Sequence, residues 1–542
     1  MSSASTEAVE YTASVFIDGR FEAPPPTGGR SWTRRPARPS PATATRRPSR
    51  STAPSPRRAA RPAWADTDAN TRCDILRAFA AQLEQRRDEL ITLIVRETGG
   101  TTAKAEEELG QAVNQLLNSA TQLTENAGAI LPPYKPGKIS LSRAVPLGVI
   151  GLIVPWNYPM SLAMRALAPG LAYGNAVVLK PAELTPIAGG QVLAEAAAAA
   201  GVPDGVFAVL PGDGVATGAA LSRHPGLDLI HFTGSFEVGA AITAYGAAAG
   251  QAVVTELGGD NAFVVLDDAD VDRAAACAVW TSLWYQGQTC ISAGRHLVHR
   301  SVAAEFTEAV VERVRKLRVG DPLREDVDLG PVISAGQLAR FHQGLVLPSI
   351  AAGARVAVGA EHDGLFYRPT VLTDVTPDMP VFQDETFGPV LPITVVDSED
   401  EAVELVNRHR TLMNSVFTGD PLRGYAFAAR LHSNEVHVND GYARHGGEGQ
   451  QAGFTRRQWI GVQTAPTSYP AWAEGFDTPI THKEATDCVP TSAGARPPWR
   501  WPRRRWCWPV AARPARRRPS PEAPAARAVR AAPAAPADPA AR

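Results

Sequence analysis

Val149-Ile150-Gly151-Leu152-Ile153-Val154-Pro155 is an unbroken apolar run of strand length, closed by a proline that cannot extend it. It reads as a buried strand, and the runs that follow show what surrounds it. Ala176-Val177-Val178-Leu179 precedes an Ala-rich helical stretch from Ile187 to Ala200. Val206-Phe207-Ala208-Val209-Leu210 precedes another helix, and Asp228-Leu229-Ile230-His231-Phe232 a third. Strand and helix alternate, which is the grammar of a parallel, doubly wound sheet and places the chain in the α/β class.

Toward the C-terminus a further α/β region runs from Asn261 to Asn439, with buried strands at Ala262–Leu266 and Leu391–Val396. Toward the N-terminus, Ile75, Leu76, Phe79, Leu83, Leu90, Leu93 and Ile94 mark the apolar face of a helix or helix pair ending near Gly99-Gly100, and a second helix follows through Leu123. Between Ile130 and Ser142 two proline-interrupted segments read as a hairpin or extended arm, and Val15 to Phe21 as a strand and turn. From Arg30 to Arg61 the chain is Arg, Pro, Ser, Thr and Ala without hydrophobic period, too polar to offset the entropy of ordering it, so order is expected to return only at Trp64. Past Tyr469 an Arg/Trp cluster and an Ala-Pro-Arg tail are expected to be disordered.

The chain has 542 residues, enough at about 150 per domain for roughly three or four domains. Hydrophobic residues make up 44% and charged ones 20%, with a formal net charge of −1, so no overall field points to nucleic acid. Basic residues crowd both ends but lack a nucleic-acid motif or an aromatic-bearing sheet. Five scattered cysteines do not form a secreted disulfide framework, and a reducing cytoplasm fits them better. The start lacks a basic segment followed by an apolar run, and no stretch approaches the roughly eighteen apolar residues of a membrane span.

Chemistry-bearing residues fall at strand ends and helix ends. Cys290, in Gln286-Gly287-Gln288-Thr289-Cys290, follows a helix that begins near Asp270 and so sits at a helix-to-loop junction, although a lone cysteine is more often a small buried hydrophobe. Glu256 follows strand-like residues and precedes Gly258-Gly259, where backbone can approach another group closely. It is either an exposed turn acid or a base. Asn157, in Pro155-Trp156-Asn157-Tyr158-Pro159, could donate to an oxyanion from a rigid turn, or simply be a turn residue. Gly234-Ser235-Phe236-Glu237-Val238-Gly239 joins a strand to a helix whose N-terminus could receive a pyrophosphate, without being the usual three-glycine fingerprint. Lys180 and Glu183 lie where strand ends meet a ribose in doubly wound folds, or are plain surface charge. The run Asp267-Asp268-Ala269-Asp270-Val271-Asp272 lacks the glycine and terminal glutamate of a calcium loop and reads as helix capping. The histidines show no ligand spacing, so no metal is expected.

Together, Pro155-Trp156-Asn157-Tyr158-Pro159, Leu179-Lys180-Pro181-Ala182-Glu183, Phe232-Thr233-Gly234-Ser235, Glu256-Leu257-Gly258-Gly259, Gly287-Gln288-Thr289-Cys290 and Glu385-Thr386-Phe387-Gly388-Pro389 resemble the aldehyde dehydrogenase superfamily in order and spacing, across roughly residues 64 to 440. The resemblance implies a Rossmann-like cofactor domain (1–128 and 147–257), a catalytic domain (258–437), a small oligomerisation arm (129–146 and 438–470) and a tail (471–542). A homodimer or homotetramer would follow. It implies Cys290 as nucleophile, Asn157 with the Cys290 backbone N–H as oxyanion hole, and Glu256 as base for the deacylating water. Lys180 and Glu183 would hold the adenosine ribose, Gly234, Ser235 and Gly239 the pyrophosphate, and Glu385 with Phe387 the nicotinamide end, while Trp156 would be a further cofactor contact and could wall an aromatic pocket. A carboxylate at Glu183 accepts from a free 2′-hydroxyl and repels a 2′-phosphate, so NAD is expected, with NADP possible. Ser161 to Pro169 and Phe454 to Gln463 look most like the benzaldehyde and vanillin dehydrogenase branch, implying an aromatic aldehyde in a pocket lined by Tyr158, Trp284, Thr289 and Ile291.

Three stretches depart from the family. Residues 31–63 have the composition of coding sequence read out of frame, about twenty residues are missing between Gly441 and Phe454, and the tail beyond 470 has no counterpart. Asn407 to Leu412 also departs locally. Rival readings are a dehydrogenase passing the acyl group to coenzyme A, against which Glu256 argues, a non-catalytic nucleotide-binding relative, and a cysteine hydrolase pairing Cys290 with His296 or His299.

Overall fold

Trp64 anchors the start of the folded helical layer. Its indole is buried and its Nε1 donates to the Leu171 carbonyl at 3.0 Å, which fixes the turn before it. Helix α1 therefore begins at Ala60 (Ala60–Asp66), four residues before the sequence reading restored order. The computed structural model describes residues 15–17, 20–22, 60–123, 128–133, 135–441 and 455–463. The basic segment 31–59, the shortened stretch 442–454 and the tail beyond 470 lie outside them.

Helix α2 (Ala69–Gln85) is capped by Asp68, whose carboxylate accepts from the Thr71 N–H at 3.0 Å. It buries Cys73, Leu76, Phe79, Ala80 and Leu83 on one face. Helices α3 (Arg87–Thr98) and α4 (Thr102–Gln122) follow, with Gly99 ending α3 in the left-handed region at φ 73°. Their apolar faces form one core with α5 (Pro159–Ala172) and α6 (Val192–Ala199), and the short α7 (Ala219–Ser222) follows them in the chain.

The strands run in chain order as β1 (Val15–Ile17), β2 (Arg20–Glu22), β3 (Gly128–Leu131), β4 (Lys138–Pro146), β5 (Val149–Ile153), β6 (Ala176–Lys180), β7 (Phe207–Val209), β8 (Leu229–Gly234), β9 (Ala252–Leu257), β10 (Asn261–Val265), β11 (Ala293–His299), β12 (Arg355–Val358), β13 (His362–Asp363), β14 (Phe366–Tyr367), β15 (Thr370–Thr373), β16 (Val390–Val396), β17 (Thr411–Phe417), β18 (Ser433–Val438) and β19 (Thr455–Gln463). They form two large sheets, ordered β2-β1-β7-β6-β5-β8-β9 and β12-β15-β16-β11-β10-β17-β18. In the first, β7 through β9 are parallel and the β1–β2 hairpin adds antiparallel to β7. The second is parallel except at β12. The proline-interrupted arm is the ribbon β19-β4-β3, in which Thr455 to Gln463 pair antiparallel with Pro146 to Lys138.

Chain direction in the first sheet reverses its build-out at β5, since β6 lies on one side of it and β8 on the other. Ligands of doubly wound sheets bind outside the carboxyl ends at such a switch point. Trp156 and Asn157 follow β5, Lys180 ends β6, Gly234 ends β8 and opens α8 (Phe236–Ala249), and Glu256 lies at the end of β9. After β9, Gly258 and Gly259 lead directly into β10 of the second sheet, so the two sheets meet at this edge.

Asn175 ties the entry of the central strands to α5. Its buried side chain accepts from the Gly148 N–H at 2.9 Å and donates to the Gly170 carbonyl at 3.1 Å. Asn175→Ala strips partners from buried backbone groups and should lower stability by about 2 kcal/mol, read as a lower denaturant midpoint at unchanged slope.

Candidate active site

Helix α9 (Val271–Leu283), capped by Asp270, carries the chain to Cys290. Beyond it Tyr285 (φ 51°), Gln286 (φ 54°) and Gly287 (φ 67°) lie consecutively in the left-handed region. Two non-glycine residues there cost about 1 kcal/mol or more each, so the surroundings must impose the turn. They do so through Gln286, whose Nε2 donates to the carbonyls of Gly99 and Pro331, both at 2.8 Å, and through Gln288, whose Oε1 accepts from the Ile333 N–H at 2.8 Å. A side chain on Gly287 would place its Cβ 2.2 Å from the Gly388 carbonyl oxygen, which only glycine avoids. The Cys290 carbonyl accepts from Asn261 Nδ2 at 2.8 Å, pinning the cysteine's backbone to the start of β10.

Asn157 is buried and donates one Nδ2 hydrogen to the Gln288 carbonyl at 3.1 Å, two residues before Cys290. An amide carries two donor hydrogens, so one remains for an oxygen near the sulfur. Beneath it Lys104, wholly buried on α4, donates to the Asn157 carbonyl at 2.8 Å and to Glu108 Oε2 at 2.5 Å. Its ammonium also lies 4.4 Å from the Tyr158 ring centroid and 4.3 Å from that of Tyr285. Glu108 Oε1 in turn accepts from the Met160 N–H at 2.7 Å and the Ser161 N–H at 3.4 Å, satisfying the first turn of α5.

Burial and the neighbouring Glu385 push the Cys290 thiol up to about 11, Glu256 pushes in the same direction, and Arg165 pulls it down. Arg165, on α5, pairs with Glu256, Nη2 to Oε2 at 3.7 Å, each side chain about one-third exposed. Glu385 is itself pushed up to about 8 by burial and by Asp260, with Arg340 opposing. Arg340 donates to the Glu385 and Thr386 carbonyls at 2.8 and 3.0 Å, and Gln337 to that of Phe387 at 2.8 Å. Phe387, at φ 47°, meets Trp156 edge-on at 5.4 Å.

At the far end of the same edge, Lys180 is buried and its ammonium destabilised by burial, with Glu183 opposing at 3.7 Å. A Cβ on Gly218 would lie 3.7 Å from the Lys180 side chain and one on Gly214 3.8 Å from Glu183 Oε2, so this wall is bare backbone. Ser235 precedes α8 in extended backbone with no side-chain cap, leaving the helix start open to an anion. Gly239 faces elsewhere: a Cβ there would lie 2.4 Å from Leu257, so its small size lets α8 pack on β9. A lysine and a carboxylate at one end, an uncapped helix start in the middle and Glu385 with Trp156 and Phe387 at the other fit a dinucleotide in chemistry.

The aldehyde dehydrogenase family model matches residues 43–467. The chain belongs to that family. The aldehyde dehydrogenase is 41% identical over 426 residues to the benzaldehyde dehydrogenase [NAD(+)] of Pseudomonas putida, covering 75% of this chain and 87% of the relative. It is 38% identical over 431 residues to a vanillin dehydrogenase of Amycolatopsis sp., covering 75% and 87%. Among solved structures it resembles an NAD-dependent benzaldehyde dehydrogenase from Corynebacterium glutamicum (TM-score 0.70, 38% identity, 75% and 88% covered). It also resembles an NADP-dependent glyceraldehyde-3-phosphate dehydrogenase from Bacillus halodurans complexed with NADP (TM-score 0.73, 34% identity, 76% and 90% covered). The expected fold and class hold: this is an α/β aldehyde dehydrogenase, an NAD(P)-dependent oxidoreductase. No helix among the described residues is long and apolar enough to cross a membrane.

In this aldehyde dehydrogenase the hydrolase pairing fails on geometry. His296 is wholly buried in β11, with Nε2 on Ser282 Oγ at 2.9 Å and Nδ1 on the Pro392 carbonyl at 3.1 Å, while the His299 ring engages Ser301. Of the expected pocket residues, Trp284 donates from Nε1 to the Tyr158 hydroxyl at 3.0 Å, Thr289 is buried and Ile291 half-buried. Sequence reasoning missed Lys104, Glu108, Arg165 and Asn261. The four-residue spacing of Lys104 and Glu108 was a signal, but surface helices carry the same spacing.

Lys104→Met would leave Glu108 charged and unpaired in the interior. It should cost about 3–5 kcal/mol in thermal or chemical unfolding, and adding Glu108→Gln, which keeps the acceptor for Met160, should recover most of it.

Proposed function

We propose that this aldehyde dehydrogenase oxidises aromatic aldehydes to carboxylic acids with NAD and water, through a thioester on Cys290. The observation that carries the reading is that the Asn157 amide bonds the Gln288 carbonyl two residues before Cys290, while Gly258, two residues past Glu256, lies against the Glu385 carboxylate. The Cys290 thiolate attacks the aldehyde carbon, and the resulting oxyanion accepts from the spare Asn157 Nδ2 hydrogen and the Cys290 N–H. Glu385 and Phe387 would hold the nicotinamide end of NAD, which when bound would supply the hydride acceptor. Glu256 then takes a proton from water as its oxygen adds to the thioester carbon, and the carbon–sulfur bond breaks to return the thiolate.

Lys180 and Glu183 would hold the adenosine ribose, Gly234 and Ser235 the pyrophosphate through backbone N–H groups, and Glu385 the nicotinamide ribose. Glu183 supports NAD, since a carboxylate repels a 2′-phosphate. Tyr158 and Trp284, locked to each other, with Tyr285 edge-on to Tyr158 at 5.5 Å, support a flat aromatic substrate, as do the benzaldehyde- and vanillin-oxidising relatives. Exposed Ile130, Leu131 and Ile139 on the β3–β4 ribbon support assembly into a homodimer or homotetramer.

Cys290→Ala should abolish NADH formation from benzaldehyde. Glu256→Gln should still release about one equivalent of NADH per site in a rapid burst and then stall, because the thioester forms but is not hydrolysed. Stopped-flow absorbance at 340 nm distinguishes the two, and sustained turnover in either variant overturns the assignment.

Ribose hydroxyls of a bound NAD would donate to the ionised form of Glu385, which is held up to about 8 in the free protein. Binding therefore favours the carboxylate, and NAD affinity should rise as pH increases through about 8. In Glu385→Gln the dependence should flatten, as measured by calorimetry from pH 6.5 to 9.

A further inference from the structure

We propose that Lys104 is a positioning residue of this reaction: its ammonium holds the Asn157 carbonyl, and through that backbone aims the Asn157 side-chain amide at the oxygen of the reacting aldehyde. The inference rests on the Cys290 thioester reading above and deepens it by naming what keeps the oxyanion donor in place.

Asn157 fixes its own side chain with a single bond. Its Nδ2 donates to the Gln288 carbonyl at 3.1 Å, and its buried Oδ1 meets no hydrogen-bond donor among the described residues. The direction of the amide therefore follows the backbone that carries it, and Lys104 Nζ holds that backbone at the Asn157 carbonyl at 2.8 Å. The next turn of chain depends on the same pair. Tyr158 gives the start of α5 no side-chain cap, and Glu108 Oε1 accepts the Met160 N–H there at 2.7 Å instead.

Lys104 is itself fixed from several sides. Its backbone N–H donates to the capping Thr101 hydroxyl at 3.3 Å, and its ammonium meets Glu108 Oε2 at 2.5 Å and the Tyr158 and Tyr285 ring centroids at 4.4 and 4.3 Å. Gly100 leaves the room for this: a Cβ there would lie 3.0 Å from Lys104 Cδ and 3.1 Å from the Tyr285 ring. The junction of α3 and α4 also grips the turn before Cys290, since the Tyr285 hydroxyl donates to the Thr98 carbonyl at 3.3 Å and Gln286 to that of Gly99 at 2.8 Å. Oxyanion donor and nucleophile are thus referred to one rigid element. A buried ion pair adds little stability over an apolar filling, but an apolar side chain cannot donate to a carbonyl. Misplacing a group at the reaction centre by about 1 Å costs about a hundredfold in rate, so the direction of this one bond is felt in the chemistry.

The test uses the full-length enzyme with Lys104→Met/Glu108→Gln, which removes both charges at similar volume, with Asn157→Ala, with all three changes combined, and with Cys290→Ala. Two rates are read. The burst of NADH from benzaldehyde requires the oxyanion, whereas alkylation of Cys290 by iodoacetamide, followed on its own peptide by mass spectrometry, displaces iodide from a saturated carbon and requires none. In Lys104→Met/Glu108→Gln the burst rate should fall about tenfold, with alkylation and the KM for benzaldehyde within about twofold of the parent. In the Asn157→Ala background the same two changes should lower the burst rate by less than about twofold, because the donor they position is already gone. A burst rate within about twofold of the parent in Lys104→Met/Glu108→Gln overturns the proposal, as does a full tenfold loss in the Asn157→Ala background or an equal loss of alkylation. Should Lys104→Met/Glu108→Gln not fold, Lys104→Gln/Glu108→Gln decides by the same rates, since its two amides can pair while the one on α4 at 104 ends one bond short of the Asn157 carbonyl. Sustained oxidation by Cys290→Ala would instead overturn the thioester reading on which this one stands, and an undiminished burst in Asn157→Ala the assignment of the oxyanion donor.

Discussion

Lys104 and Glu108 face each other one turn apart on α4, wholly buried, and the geometry of the reaction centre hangs from them. The ammonium holds the Asn157 carbonyl and lies against the rings of Tyr158 and Tyr285, while the carboxylate holds the first N–H groups of α5. Burying two opposite charges yields little net stability, because desolvation consumes much of the attraction. What the pair secures is position. Asn157 comes from the end of β5, Tyr285 from the turn before Cys290, and α5 from the next element, and one ion pair fixes all three relative to one another. A hydrophobic plug of the same volume would fill the space without directing a hydrogen bond at the Asn157 carbonyl.

The two sheets divide the labour according to strand direction. The first presents its carboxyl edge, where strand ends and helix starts leave backbone N–H groups and short polar side chains free for a dinucleotide. The second presents the opposite edge: Cys290 precedes β11, and Glu385 precedes β16. A thiol and a carboxylate on loops that enter strands are held from behind by a rigid sheet, and here they are held again from the side. Arg340 and Gln337 bind three successive carbonyls from Glu385 to Phe387, and Asn261 binds that of Cys290. Both loops contain non-glycine residues in left-handed backbone, a cost that persists only because these contacts over-determine the conformation.

Much of this was legible in the chain. The apolar runs at Val149 to Val154, Ala176 to Leu179 and Ala262 to Leu266 are strands because nothing else buries them, and Cys290, Asn157 and Glu256 stand out because each sits where such a run or a helix ends. Less legible were residues whose role depends on what lies across the fold. Lys104 reads as a surface lysine until α4 is packed against α5, and Gln286 reads as a loop amide until it reaches Gly99 and Pro331. Gly239 was grouped with the pyrophosphate turn on spacing, whereas its missing side chain makes room for Leu257. The helix beginning at Ala60 was hidden by the basic composition before it, and the buried Trp64 indole explains why it forms.

The segment Asn407 to Leu412 bears on the candidate site through a relay of hydrogen bonds. The Arg410 carbonyl accepts from the Asp260 N–H at 2.9 Å, and His409 Nδ1 lies 3.2 Å from Asp260 Oδ2. Asn261 Oδ1 accepts from the N–H groups of Leu412 and Met413 at 2.9 and 3.0 Å while its amide holds the Cys290 carbonyl. Asp260 in turn pairs with the fully buried Arg295 at 2.9 Å and contributes to the raised position of Glu385. Side chains of the segment add to these contacts: the Asn407 amide donates to the Arg430 carbonyl at 3.0 Å and accepts from the His432 N–H at 2.7 Å, and the Arg410 guanidinium lies 3.7 Å from the Phe236 ring centroid. The entry to β17 thus supplies carbonyls and amides, and the buried polar side chains and backbone of Asp260 and Asn261 take them up, so that the path of one loop sets the position of the other.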